Sequence, residues 1–254
     1  MSTNKPTDIG NLLLEIGALL MSAGANTNRI RLTMSRVAES YNYEADFLIT
    51  HRAIMLTLKN ADGEQLFNQL KQTYGQVPNF RMVSGISRLS WQVVEEKLTV
   101  KAARKEIKRL KSLPRYPRLV VLLVVALACS SFCRLSGGMF LEMVAVFIAS
   151  FIGLFLRQEL AKKHVNPYFT VFLAAFFTTM ISGGIGTLLP FEHDNMILIT
   201  SILYLIPGIP LINSISDFLD GNTLNGVVRV INGSVISFAI AAGLLIAVLI
   251  YNVL

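Results

Sequence analysis

Residues 207–213 read Pro207-Gly208-Ile209-Pro210-Leu211-Ile212-Asn213, and Asp217, Asp220-Gly221 and Arg229 follow. Strongly apolar stretches lie on both sides of this run. A Pro-Gly-x-Pro sequence breaks a helix and frees backbone groups at or near membrane depth. Lipid cannot satisfy those groups, so protein, water or a ligand must. Polar and ionisable side chains beside such a break suggest a solute pathway more readily than a lipid-facing anchor. If a helix resumes after Pro210, Asn213 and Asp217 are four residues apart and share a face. Arg229 lies across a Gly221/Gly226 turn, and spacing leaves its distance from Asp217 open. The competing reading makes Asp217, Asp220 and Arg229 a solvated cytoplasmic loop that only fixes topology.

The chain around this run is divided in character. Residues 1–118 hold 18 of the 23 Lys and Arg and 10 of the 16 Asp and Glu. That part has the composition of a soluble domain of ordinary size. The remainder is too apolar, over too many long runs, to form a water-soluble core. Five segments approach the roughly 20 apolar residues that cross a bilayer. They fall at about 119–135, 139–156, 168–188, 196–212 and 232–253.

Basic flanks set the expected orientation. Residues 101–118 carry Lys101, Arg104, Lys105, Lys108, Arg109, Lys111, Arg115 and Arg118 against Glu106, and so belong inside. Loop 157–167, with Arg157, Lys162 and Lys163, falls inside as well. Loop 189–195, with Glu192 and Asp194, falls outside, and segment 213–231 falls inside. The N-terminus is then cytoplasmic and the C-terminus periplasmic or extracellular. Met1–Asp8 is polar and shows no signal peptide. The break at Pro207 lies near the cytoplasmic end of the fourth span, where a vestibule or gate belongs.

Small residues recur every fourth position at Ala145, Ala149 and Gly153, and at Gly233, Ser237 and Ala241. Such stripes let helices approach closely, within the chain or against another subunit. Ser182-Gly183-Gly184-Ile185-Gly186 lacks the Lys-Ser/Thr of a phosphate loop. Glu142, at the outer start of the second span, is an interface residue or a pathway carboxylate. Cys129 and Cys133, one helical turn apart, read as small apolar residues rather than a disulfide.

In the N-terminal part, Ile9, Leu12, Leu13, Ile16, Leu19 and Leu20 predict an amphipathic helix over 8–22. Asn26 or Thr27 caps a second helix over about 27–41. Short strands are expected at 43–50 and 52–59, and Asp62-Gly63 makes a turn. A helix at about 64–74, a third strand at 80–83 and helices at 87–98 and 99–113 complete the prediction, with Thr99 capping the last. The fold class is therefore mixed. A cytoplasmic, soluble α+β domain (1–98) leads through a basic juxtamembrane helix (99–118) to a transmembrane domain of five helices (119–254).

Chemistry is sparse. His51, His164 and His193 are far apart, and no His/Cys/Asp cluster has metal-ligand spacing. No nucleotide loop or Gly-x-Ser-x-Gly elbow occurs, so a membrane-tethered hydrolase lacks a nucleophile. His51 beside Arg52 reads as a strand-end histidine without a role. The basic run lacks aromatic interleaving and abuts a span, so lipid contact explains it better than nucleic acid. No enzyme activity, metal or cofactor is expected.

Two motifs carry a family resemblance. Leu19-Leu20-Met21-Ser22-Ala23-Gly24-Ala25-Asn26-Thr27-Asn28-Arg29-Ile30 resembles the N-terminal signature of the threonine/serine exporter family. Pro207-Gly208-x-Pro210-Leu211-x-Asn213, Asp217, Gly221 and Arg229 resemble its late membrane motif. The similarity spans the chain and is greatest to YjjP-like members, which end after five spans. Asn26 and Asn28 depart from it, standing where many members carry an acidic or aromatic residue. The resemblance implies a bacterial inner-membrane exporter of threonine and serine, or of a C4-dicarboxylate such as succinate. It also implies an oligomeric assembly with a small five-span YjjB-like partner. Without a nucleotide site, transport would be secondary. Asn213, Asp217 and Arg229 are the candidate pathway residues: Arg229 for a solute carboxylate, Asp217 for a proton, the solute's ammonium or Arg229 itself. Pro207, Gly208 and Pro210 are the candidate hinge. A second class of function is a non-transporting scaffold or sensor whose N-terminal domain binds a regulator.

Overall fold

The computed structural model describes residues 5–73, 75, 77–114, 116–188 and 194–253. Arg115 of the basic run, and Glu192 and His193 of the expected outer loop, lie outside the described residues. The chain forms two compact units. One comprises Met1–Pro114 with Ile209–Ile231, the other Arg115–Gly208 with Asn232–Leu254.

The first unit opens with α1 (Pro6–Ser22) and α2 (Thr27–Ser40). Ile9, Leu12, Leu13, Ile16 and Leu20 of α1 are essentially fully buried, as the apolar spacing predicts. Asn26 caps α2, its side chain accepting from the Arg29 N–H at 2.9 Å. An antiparallel meander follows: β1 (Glu44–Ile49), β2 (Ala53–Lys59) and β3 (Gln65–Gln72), in that spatial order. Ile54, Leu56 and Leu58 alternate inward on the central strand. The register pairs Phe47 with Leu56 and Leu58 with Phe67. Then come α3 (Phe80–Glu95) and α4 (Val100–Ser112). Val100, Ala103, Ile107 and Leu110 bring the basic helix α4 into the same core as α1 and the sheet.

Two predictions fail here. Residues 64–74 are not a helix. Leu66, Phe67 and Leu70 have helical spacing, but Phe67 pairs with Leu58 and its ring lies against Gly10 of α1. Tertiary pairing overrides a weak local period. Residues 80–83 are not a strand but the first turn of α3, which Asn79 caps by accepting from the Met82 N–H at 3.0 Å.

The second unit contains α5 (Arg118–Leu135), α6 (Phe140–Lys162), α7 (Pro167–Leu188) and α8 (Asp194–Ser201), then a short 3-10 turn at Leu203–Leu205. Beyond the break, α9 (Gly208–Leu219) belongs from Ile209 onward to the first unit. The last helix, α10 (Thr223–Val253), contributes to both. Among the described residues, four helices are long and apolar enough to cross a membrane. The count is five if Met196–Leu205 and Gly208–Leu219, bent by 67°, form one broken span. Leu119, Val120, Leu123, Val124 and Leu127 of α5 expose large apolar side chains, a surface suited to lipid.

Packing in this unit turns on small residues. Ala145, Ala149 and Gly153 of α6 are buried. In the other predicted stripe Gly233 is buried, but Ser237 and Ala241 are exposed. The close approach on α10 is at Gly243, where a Cβ would lie 2.5 Å from the Phe172 carbonyl. The glycine-rich stretch of α7 is a packing notch: a Cβ on Gly183 would meet the Tyr251 ring at 2.5 Å. Cys129 and Cys133 are buried free thiols. Glu142 is buried and accepts from the Met139 N–H at 2.7 Å, closing the start of α6.

Candidate functional site

The two motifs meet inside the first unit. Helix α1 ends on Gly24, whose φ of +83° is a conformation glycine adopts without steric cost. Gly24 N–H bonds Met21 C=O and Ala25 N–H bonds Leu20 C=O, the pattern of a Schellman turn. Helix α9 ends the same way. Gly221, at φ +75°, bonds Phe218 C=O, and Asn222 N–H bonds Asp217 C=O at 2.7 Å. Each turn reverses the chain sharply. The first thereby offers the Gly24 and Ala25 carbonyls, and the second brings the start of α10 back beside α9. Gly226 permits that crossing, since a Cβ there would lie 3.0 Å from the Phe218 ring.

Side chains of α9 and α10 grip the 24–27 loop. Asn213 Nδ2 donates to Gly24 C=O at 2.8 Å, and Arg229 donates to Ala25 C=O at 3.1 Å. Asp217 Oδ1 accepts from Thr27 N–H at 3.0 Å. Thr27 is the first residue of α2, so this carboxylate satisfies a free helix N-terminal donor and sits at the positive end of the helix dipole. Asp217 Oδ2 lies 3.1 Å from Arg229 Nε, close enough for an ion pair although off the angle of a hydrogen bond. Asn225 Nδ2 ties in the sheet, donating to Ile49 C=O at 2.8 Å and to Thr27 Oγ1 at 3.2 Å. Arg31 donates to Asn222 Oδ1 at 3.0 Å on the rim.

Burial excludes the solvated-loop reading. Asp217 has no exposed surface and Arg229 retains 7%. Residues 213–231 are not a loop; they form most of α9 and the start of α10, with Asp220 exposed in the turn between them. Gly226 lies within α10 rather than in a turn. Asn213, Asp217 and Arg229 are thus brought together, the arginine across a turn that spacing could not resolve. Pro207 occupies the break, and Gly208 opens α9. Pro210 sits in the first turn, where a missing N–H leaves no helical bond unmade. His51 lies near enough to Arg229 to feel its charge. Its pKa is lowered first by burial, then by the Arg229 and Arg52 guanidiniums.

Sequence reasoning missed Asn225 and the acceptor role of the 24–27 loop. Asn225 and Arg229 are four apart on α10, a spacing that marks one face. The loop was visible as a motif but had no assigned partner. Among the described residues, no group of three or more His, Cys, Asp or Glu is arranged to hold a metal ion.

Several apolar helices of spanning length define a multi-span membrane protein. The chain belongs to the putative threonine/serine exporter family, matching it over residues 11–251. It is similar to the "Probable succinate transporter subunit YjjP" of Escherichia coli (strain K12), at 29% identity over 254 residues, covering 99% of this chain and 98% of that one. It is also similar to the protein of the same name from Klebsiella aerogenes, at 28% identity over 241 residues, covering 94% and 92%. No solved structure matches the chain.

Proposed function

We propose that the chain is one subunit of a secondary exporter of small carboxylate-bearing solutes in the bacterial inner membrane. The solute is threonine or serine, as the family description suggests, or a C4-dicarboxylate such as succinate, as the relatives' names suggest. The word "subunit" in those names supports a partner, for which a small five-span YjjB-like membrane protein is our candidate. In this reading the broken pair counts as the fourth of five spans. The N-terminus lies in the cytoplasm with the soluble domain, the C-terminus lies outside, and the chain is not an enzyme.

The observation that carries the reading is the buried Asp217–Arg229 pair, clasped to the 24–27 loop. A buried ion pair is a poor stabiliser compared with apolar packing, which favours a switching role for it. Asp217 holds Arg229 while no solute is present. A solute carboxylate that competes for Arg229 releases Asp217 and loosens the loop. Protonation of Asp217 has the same effect, and this offers a route for coupling to a proton gradient. Pro207 supplies the hinge at which α9 moves.

The test is efflux from cells that produce the chain with its partner, comparing wild type with Asp217→Asn and Arg229→Lys at matched membrane levels. Export falls at least about tenfold in both. Normal export in both rejects the switch. Full transport by the purified chain alone rejects the obligate partner. The scaffold or sensor reading is favoured by one observation: the polar groups of Asn213 and Asp217 already bond to protein. It requires efflux to be indifferent to the pair while regulator-dependent responses change.

A further inference from the structure

The second unit holds an arginine that no carboxylate answers among the described residues. Sequence placed Arg157 in an inner loop, but α6 continues to Lys162 and Arg157 lies within the helix, half-buried. The neighbouring acid, Glu159, is engaged by Arg118 and by Lys162. Among the described residues, Arg157 has no ion pair. Its one hydrogen bond is a long one, 3.4 Å to Tyr204 C=O. An arginine in a spanning helix without a counter-charge is costly and marks a functional position by default.

What surrounds it is built rather than incidental. One turn before Arg157, Gly153 leaves room where a Cβ would lie 1.8 Å from Thr178 Oγ1 and 2.5 Å from the Tyr204 hydroxyl. Those two hydroxyls are 2.8 Å apart. Three residues before Tyr204 and four after Thr178, Ser201 donates to Ser182 at 3.3 Å, a second rung of the same ladder. On the same turn of α7 as Thr178, Thr179 is fully buried and its hydroxyl has no hydrogen-bond partner. Thr178 donates to Ala174 C=O at 2.6 Å, so Tyr204 is the donor between the two hydroxyls, and its O–H is the one that can turn to an arriving anion.

We infer that Arg157, with Tyr204 and Thr178 beside it, forms a binding site for the carboxylate of a small organic solute. The inference rests on the exporter reading for its choice of ligand. The guanidinium supplies charge and a two-pronged donor, which a carboxylate matches. The Tyr204 O–H, turned from Thr178 Oγ1, supplies a further hydrogen bond, and Thr178 positions it.

The test is equilibrium binding of radiolabelled succinate and L-threonine to the full chain in lipid nanodiscs, with any subunit that co-purifies. Succinamide and threoninamide, which lack the carboxylate, serve as competitors. Wild type binds at least one of the two acids, and the amides fail to compete. Arg157→Gln weakens binding at least about tenfold without lowering the melting temperature, the effect of losing a charge-assisted hydrogen bond. Arg157→Lys recovers part of it. Tyr204→Phe, which keeps the ring, weakens binding several-fold and serves if Arg157→Gln does not assemble. Failure of wild type to bind either acid overturns the inference, as does wild-type affinity in both variants. Efflux in parallel separates the two claims. Binding without efflux counts against the exporter reading and leaves the site standing. Efflux indifferent to Arg157→Gln removes the site and leaves the exporter.

Discussion

Asp217→Asn isolates the charge of the clasp from its shape. Asparagine keeps a carbonyl oxygen to accept from Thr27 N–H but leaves Arg229 buried without its anion. Opposite charges 3.1 Å apart attract by about 5 kcal/mol at an effective dielectric of about 20. Part of that is already offset by the desolvation of both groups, and Arg229 keeps its bond to Ala25 C=O. The net loss is therefore about 3 kcal/mol, the lower end of what breaking a buried pair costs. Amide hydrogen exchange at Thr27 reads this locally, without unfolding the spans. A loss of about 3 kcal/mol accelerates exchange on the order of 100-fold. Removing both charges, as in Asp217→Asn with Arg229→Met, takes away the stranded cation and returns exchange to within about tenfold of wild type. If Asp217→Asn exchanges within about threefold of wild type, or the two substitutions simply add, the pair does not hold the loop and the switch has no physical basis.

Asn213→Ala removes the bond to Gly24 C=O and destabilises the loop by about 1 kcal/mol, seen as faster exchange at Gly24 and Ala25. Gly24→Ala meets no clash, since the nearest atom to its Cβ is Pro78 Cα at 3.6 Å. It still costs about 1 kcal/mol because φ is positive, and the thermal midpoint of the purified chain should fall. Gly153→Ala drives a methyl into Thr178 Oγ1 and lowers stability by about 1–3 kcal/mol; Thr178→Ala in the same chain restores part of the loss in the same melting assay. His51 has a folded pKa below its ordinary value of about 6.5. The unfolded chain therefore binds the extra proton first. The stability contribution is complete above about pH 6.5 and is lost as pH falls from there through the folded pKa. Protection of the β2 amides, measured relative to the pH-dependent intrinsic exchange rate, should fall over that range in wild type, and His51→Asn should flatten the response.

Much of the architecture was legible because burial imposes period. The α1 stripe from Ile9 to Leu20 and the alternation of Ile54, Leu56 and Leu58 are direct images of one apolar face. The candidate spans emerged from length and composition alone. What could not be read was the partner of a short polar segment. Phe67 looks helical until Leu58 lies beside it and Gly10 makes room for its ring. The start of α10 looks like a loop because Asn222, Asn225 and Arg229 are polar, and nothing local shows that Thr27 and Ile49 receive Asn225. The late motif named three of the grasping residues, and the early motif named the loop they grasp. Their meeting is a contact across about 190 positions, as between Thr27 and Asp217. A pairwise contact of that range leaves no periodic trace in a single chain.

Two of the three arginines of the apolar half, Arg157 and Arg229, are prepared for different events. Arg229 is already neutralised, so a carboxylate that reaches it must displace Asp217 at 3.1 Å from Nε. That exchange conserves charge within the clasp while it frees the acid for a proton, and a group that only responds to ligand needs this property. Among the described residues Arg157 has no acid to displace, so a carboxylate arriving there relieves an uncompensated charge. A group that captures ligand needs that property instead. If both assignments hold, Arg157→Gln acts mainly on affinity and Asp217→Asn mainly on turnover, since one removes attraction for the solute and the other removes the response to it. Efflux measured against internal solute concentration separates the two. A half-saturation change in the Arg157 variant with its maximum preserved, and the converse for Asp217, is the expected pattern. The reverse pattern would reassign capture to the clasp and leave Arg157 as a packing residue.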